Sequence, residues 1–386
     1  PSSQPIGRRV LVNAAALSGS NLWRIGVSFA LQLLIARILG IHALGAYTVA
    51  LAYLNVSQVL SELGLPALLV RDLAAAPRQR RAYFRKALGI QFVASLLAWA
   101  GLAGLALLLP YTEPARTAIW LIGASLPFYA VTSACQTLFR AAERMELLMA
   151  VEGAINLLIL VLSLAALLAG ASVILLVGVL VLTQAISALV CVMIMAHSRL
   201  LAPPQDAGEV GVGELRRAAA PFFGLSIVDV LLQRADILLL SIVGGETATG
   251  IYSAAYNLVR VLVKLVQSYW QAVYPTLSRL RSQADGKYAA LAALSLRYGL
   301  MLLLPAAALS TSVAGELIRL IYAERYAQAA PALRVLVWGA PAFFVEMYAV
   351  TLLMVEKRPR RALAVMGLNL GALMLLLPLL ALFYGA

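Results

Sequence analysis

The sequence predicts an all-α, polytopic membrane helix bundle of two pseudo-symmetric lobes, six helices and then five. Hydrophobic residues make up 62% of the chain and charged residues 12%, with a mean hydropathy of +0.91. Soluble domains carry roughly one-quarter charged residues. The apolar residues gather in stretches long enough to cross a bilayer as helices, which satisfy their own backbone groups. The two halves also carry matching residues at one fixed offset.

Taken in order, the apolar stretches fall near residues 12–37, 44–70, 87–110, 117–140, 147–169, 172–196, 218–243, 249–275, 289–310, 331–355 and 361–384. Each approaches or exceeds the roughly 20 residues a spanning helix needs, which gives eleven spans. Arg8 and Arg9 precede the first, and its length and its internal Arg24 make it a retained helix instead of a cleaved leader. Residues 201–217, with Pro203, Pro204, Gly208, Gly211 and Gly213, read as a cytoplasmic linker between a lobe of residues 1–200 and a lobe of residues 218–386.

Loop charge sets the expected orientation. With the amino terminus inside, the inner loops hold twenty of the 30 Lys and Arg residues, and the outer loops hold only Arg116, Arg319, Arg325 and Arg334. That bias is the usual signature of cytoplasmic loops. The net charge of +13 therefore reports topology and not nucleic-acid binding. Arg37 and Arg140, at span ends, read as interfacial anchors, and residues 311–330 read as an interfacial amphipathic helix.

The internal repeat is ungapped. Gly40, Gly45 and Tyr47 match Gly245, Gly250 and Tyr252 at an offset of 205, at the turn between two spans in each half. Six spans separate the copies, so both halves face the same way about an axis along the membrane normal. By that logic a twelfth span is expected after residue 386.

Cys135 and Cys191 lie within spans and His42 and His197 are the only histidines, which argues against a disulfide framework or a metal site. A phosphate-binding glycine motif is absent, and the short outer loops carry no catalytic pair. The chain reads as a non-enzyme without a cofactor.

The charges inside spans carry the functional signal. Tyr256, Arg260, Lys264, Gln267 and Gln271 recur at helical spacing down one face of the eighth span. Arg260 lies roughly 16 Å into it, where an ionisable group costs several kcal/mol unless it faces protein or water. The first span carries Asn21, Arg24 and Ser28, the second Asn55, Gln58 and Glu62, and the seventh Asp229, Gln233 and Asp236 with Arg234 beside them. Arg260 and Lys264 are one turn apart and repel each other, so an anion or a wet cavity is their simplest partner. Glu62, Asp229 and Asp236 are candidates for H+ or Na+ coupling, or alternatively lock helices together through ion pairs. Arg297 either joins the cationic group or reaches back to the interface. Glu152 and Glu346 have no evident local partner.

The run Gln32 to Gly40 (QLLIARILG), then Leu44-Gly45-Ala46-Tyr47 and Gly64 to Ala74 (GLPALLVRDLA), resembles the opening of the Wzx-type polysaccharide flippases. These belong to the superfamily of multidrug, oligosaccharidyl-lipid and polysaccharide exporters. Leu138 to Met145 (LFRAAERM), Arg234 to Leu240 (RADILLL) and Gly250 to Tyr256 (GIYSAAY) fit the same pattern. The resemblance implies a MATE-like, V-shaped pair of lobes around a central cavity in a bacterial or archaeal inner membrane. It implies translocation of a lipid-diphosphate-linked oligosaccharide to the outer leaflet, beside a polysaccharide polymerase and glycosyltransferases. Arg24, Arg260 and Lys264, with Arg297, match by depth the family's cationic cavity residues, and Asn21, Tyr256, Gln267 and Gln271 join them as binding candidates. A peptidoglycan-precursor flippase, a cation-coupled drug exporter and a non-transporting polymerase scaffold remain as alternatives.

Overall fold

The structure, a computed structural model, describes residues 23–75, 80–198, 211–281 and 287–384. Its helices follow the expected spans closely. They are α1 (residues 23–38), α2 (Ile41–Glu62), α3 (Leu65–Ala75), α4 (Arg80–Leu108), α5 (Glu113–Gly123), α6 (Leu126–Ala141), α7 (Met145–Leu168) and α8 (Val173–His197). The second half has α9 (Val212–Arg281), α10 (Lys287–Ser312), α11 (Ala314–Tyr322), α12 (Ala329–Leu336), α13 (Gly339–Val355) and α14 (Pro359–Tyr384). Among the described residues, seven stretches are long and apolar enough to cross a membrane on composition alone. The arms of α9 are more polar because they carry the charges noted above. The chain is a multi-pass membrane protein.

Three spans are broken inside. The second divides into α2 and α3 at Leu63 and Gly64, both with positive φ (51° and 74°). The fourth divides at Ala124 and Ser125, and the tenth at Val337 and Trp338. The expected linker ends early: residues 199–210 lie outside the described residues, and α9 begins at Val212 instead of residue 218.

Although α9 runs for 70 residues, it is a hairpin. Gly245, at φ 69° and ψ −170°, interrupts it, and the Tyr252 hydroxyl donates to Asp236 across a separation of 16 residues at 2.6 Å. In a straight helix those residues would be about 24 Å apart. Gly40, the repeat partner of Gly245, turns the chain from α1 into α2 with nearly the same geometry, φ 93° and ψ −172°. Only glycine adopts such angles without strain. The repeat therefore encodes the same helical hairpin twice.

Packing is continuous between the halves at one end, while at the other the first arm of α9 stays on the first half and the rest of the second half has a core of its own. At the end bearing Gly40 and Gly245, one core joins Ile35, Leu44, Tyr111 and Ile119 of the first half to Ala254, Val259, Ile318, Tyr322 and Leu333 of the second. At the opposite end there are two cores. One holds Leu65, Leu73, Phe139 and Cys191 with the start of α9, and the other Trp270, Leu277 and Phe344. The two cores at that end are separate from each other, but the first one bridges the halves: Leu215 and Ala219 of α9 pack with Leu65 and Phe139, and Gly64 lies against the backbone of Ala219 and Phe223.

The joined end is also tied by polar contacts. Arg37 Nε and Nη2 donate to the carbonyls of Ile321 and Leu320 at the end of α11 (2.7 and 2.6 Å). Arg325 returns the arrangement, with its Nη2 donating to the carbonyls of Ala36 (2.7 Å) and Arg37 at the end of α1. Each arginine thus caps the other half's exposed helix C-terminus. One expectation changes here: Arg37 is a contact between lobes and not a lipid anchor. The expected amphipathic helix is α11, which exposes Glu316 and Arg319 and packs its other face on the core through Ile318 and Tyr322, both 0% exposed.

Candidate functional site: a polar cleft beside a cationic band

The second arm of α9 carries the predicted band below the shared core. Tyr256, Arg260, Lys264 and Gln267 are half-buried, and Gln271 is exposed. Tyr256 stacks on Tyr252, with ring centroids 5.8 Å apart. Arg260 Nη2 reaches Ser28 Oγ of α1 at 3.4 Å, and Lys264 Nζ donates to Gln267 Oε1 at 2.7 Å. The eighth span therefore reaches the first at this level.

What surrounds these cations decides what they can do. Among the described residues no carboxylate lies within 4.0 Å of Arg260 or Lys264. The charged groups acting on Lys264 are Arg24, Arg234 and Arg260, against the single carboxylate Asp229. Asp236 also acts on Arg234, so two carboxylates stand against four cations, and the remaining positive charge at membrane depth is unfavourable unless a mobile anion or water compensates it.

Of the other predicted residues, Arg24 is exposed on α1 and joins this group electrostatically, while Asn21 lies outside the described residues. Arg297 is exposed on α10 and is not among the charges acting on Arg260 or Lys264. The structure does not bring it to the band.

The three acids differ. Glu62 Oε1 accepts from the Tyr129 hydroxyl and Ser133 Oγ, both at 2.7 Å. Asp236 accepts from Tyr252 and from the Ile237 backbone N–H at 2.8 Å. Asp229 is exposed and accepts from Gln233 Nε2 at 2.8 Å. Hydrogen-bond donors, and no direct ion pair, hold each of them among the described residues. Glu152 and Glu346 do have partners: Arg140 at 3.9 Å and Asn369 Nδ2 at 2.8 Å. Those partners lie too far along the chain to be read from local spacing.

Between the lobes lies a polar cleft of about 260 Å³, lined by Asn55 and Gln58 of α2, Tyr129 of α6, and Asp229, Gln233 and Arg234 of α9. Gln58 and Arg234 make no hydrogen bond to the described residues. Arg234 also acts on Arg260 and Lys264, so cleft and band adjoin through it. Sequence reasoning gave Arg234 no role and passed over Tyr129, and it missed Glu246 altogether. Glu246 is 5% exposed and accepts from the Thr112 backbone N–H and Oγ1, each at 2.9 Å, at the start of α5. Its position directly after the repeated glycine was the available signal.

A family profile described as polysaccharide biosynthesis protein matches residues 34–331. The chain belongs to this polysaccharide biosynthesis family. Among curated proteins no sequence match is found. Solved structures share the fold. An inward-facing multidrug resistance MATE family transporter of the MOP superfamily superposes with a TM-score of 0.71 at 12% identity, over 95% of this chain and 87% of that one. A MOP superfamily transporter from Pyrococcus furiosus gives 0.66 at 13% identity, over 96% and 88%. A further MATE multidrug transporter gives 0.65 at 15% identity, over 100% and 92%. The family member thus has the two-lobed MATE fold.

Proposed function

We propose that this protein is a flippase that carries a lipid-diphosphate-linked oligosaccharide across the membrane by rocking its two lobes. The observation that carries the reading is the pair Arg260 and Lys264, held at membrane depth with other cations around them and no carboxylate in contact. A diphosphate supplies the missing negative charge. An arginine fork and a lysine point charge both suit phosphate oxygens. Membership of a polysaccharide biosynthesis family supports a glycan as the rest of the cargo.

The basic helix ends and turns opposite the joined end, among them Arg81, Arg85, Arg144, Arg217 and Arg361, favour that end as cytoplasmic. The joined end then keeps the outside closed. Glu62, Asp229 and Asp236 remain the candidates for H+ or Na+ coupling. A polymerase and glycosyltransferases are the partners expected on either side of the step.

The test in cells is the double variant Arg260→Ala/Lys264→Ala in the native organism. The reading expects surface polysaccharide to be lost while protein in the membrane stays at its normal level. Full export by that variant would exclude the diphosphate clamp and would favour a scaffold role for the polymerase.

A further inference from the structure

We infer that the cleft between α2, α6 and the first arm of α9 is a sugar subsite, separate from the phosphate-holding band, and that it takes a neutral sugar residue of the lipid-linked glycan. The inference rests on the flippase reading and adds to it where the glycan sits.

The chemistry of the lining is the first ground. Each sugar hydroxyl both donates and accepts a hydrogen bond, so a subsite needs groups of both kinds. The cleft offers the amides of Asn55, Gln58 and Gln233, the carboxylate of Asp229, the guanidinium of Arg234 and the ring of Tyr129. Within the protein, Gln233 spends one donor on Asp229 and Asn55 one donor on the Leu51 carbonyl. That leaves their acceptors available, while Gln58 and Arg234 make no hydrogen bond among the described residues, although Arg234 lies in the field of Asp236. Half-buried amide and guanidinium groups without partners are costly unless water or a ligand meets them.

Charge balance is the second ground. The lining has one acid and one base, Asp229 and Arg234, and so no net charge of its own, whereas Arg260 and Lys264 of the neighbouring band are both cations. A diphosphate belongs in the band, and an uncharged polyol in the cleft. Size is the third. At about 260 Å³ the space lies just below the roughly 300–1,000 Å³ of drug-sized sites, enough for a sugar residue but not for a whole repeat unit. Arg234 lines the cleft and acts electrostatically on Arg260 and Lys264, which suits it to the junction of the phosphate with the first sugar.

The test uses the full chain in lipid nanodiscs and two probes, a polyprenyl diphosphate without sugar and the same lipid carrying one neutral hexose. Wild type is expected to bind the glycosylated lipid about tenfold more tightly. Gln58→Leu, which breaks no hydrogen bond among the described residues, should remove most of that preference and leave sugar-free binding unchanged, which also reports that the variant is folded. Equal wild-type affinity for both lipids, or a preference that survives undiminished in the variant, would overturn the subsite; so would equal loss of both lipids. The two readings fail separately. If Arg260→Ala/Lys264→Ala binds the sugar-free lipid as wild type does but still prefers the hexose, the clamp is wrong and the sugar subsite stands.

Discussion

Gly45 and Gly250 meet at the crossing of α2 and the second arm of α9, each occupying space that a side chain would deny to the other half's backbone. A Cβ on Gly45 would lie 1.8 Å from the Glu246 carbonyl oxygen, and one on Gly250 would lie 2.2 Å from that of Ile41. Ile41 and Glu246 are themselves related by the offset of 205, so the two contacts are equivalent under the pseudo-two-fold. Close approach of helices through small residues is how membrane bundles gain packing without a hydrophobic driving force.

Gly45→Ala and Gly250→Ala should therefore destabilise the protein to a similar extent, by at least the ~1–3 kcal/mol typical of overpacking. Gly89→Ala and Gly101→Ala, where nothing lies within 4 Å of the added carbon, should be neutral or mildly stabilising. Thermal unfolding in detergent measures all four. Equal behaviour of the two sets would mean that the crossing does not hold the lobes together.

The reciprocal arginines should act as a latch on the joined end. Each caps a helix C-terminus from a solvent-accessible position, a contribution of roughly 0.5–1 kcal/mol. Arg37→Ala/Arg325→Ala should shift the population by severalfold toward a state separated at that end. Spin labels on cysteines replacing His42 and Thr247, exposed positions also 205 apart, report this by pulsed electron resonance. A new long-distance population is expected, and an unchanged distribution would remove the latch.

Coupling, if it resides at Asp236, depends on a carboxylate held by Tyr252 beside Arg234. Asp236→Asn should abolish the response of flux to an imposed proton or sodium gradient but leave cargo binding within about twofold. Gradient-driven flux in proteoliposomes is the measurement, and an undiminished response would move coupling to Glu62 or Asp229.

The spans were legible because hydropathy is a local property, and each expected span coincides with helix among the described residues. The turn at Gly245 was legible because Gly40 repeats it. The breaks at Leu63–Gly64 and Ala124–Ser125 were missed although Pro66 and Pro127 stand second in α3 and α6, because span lengths taken from hydropathy average over such punctuation. Lys264 and Arg260 announced themselves by periodicity on one helix. The cleft did not, because Gln58, Tyr129 and Arg234 come from three helices far apart in sequence. Arg37 was misread for a similar reason: its partners are backbone carbonyls at Leu320 and Ile321, which leave no trace in residue type.

The central claim is tested most directly by reconstituting the chain in liposomes with a fluorescent lipid-diphosphate-linked oligosaccharide and following its transfer between leaflets by chemical quenching. Wild-type protein should accelerate transfer, and Arg260→Ala/Lys264→Ala should reduce that acceleration by about a hundredfold, the loss of two charge-assisted contacts. Transfer by the double variant at the wild-type rate would contradict the account.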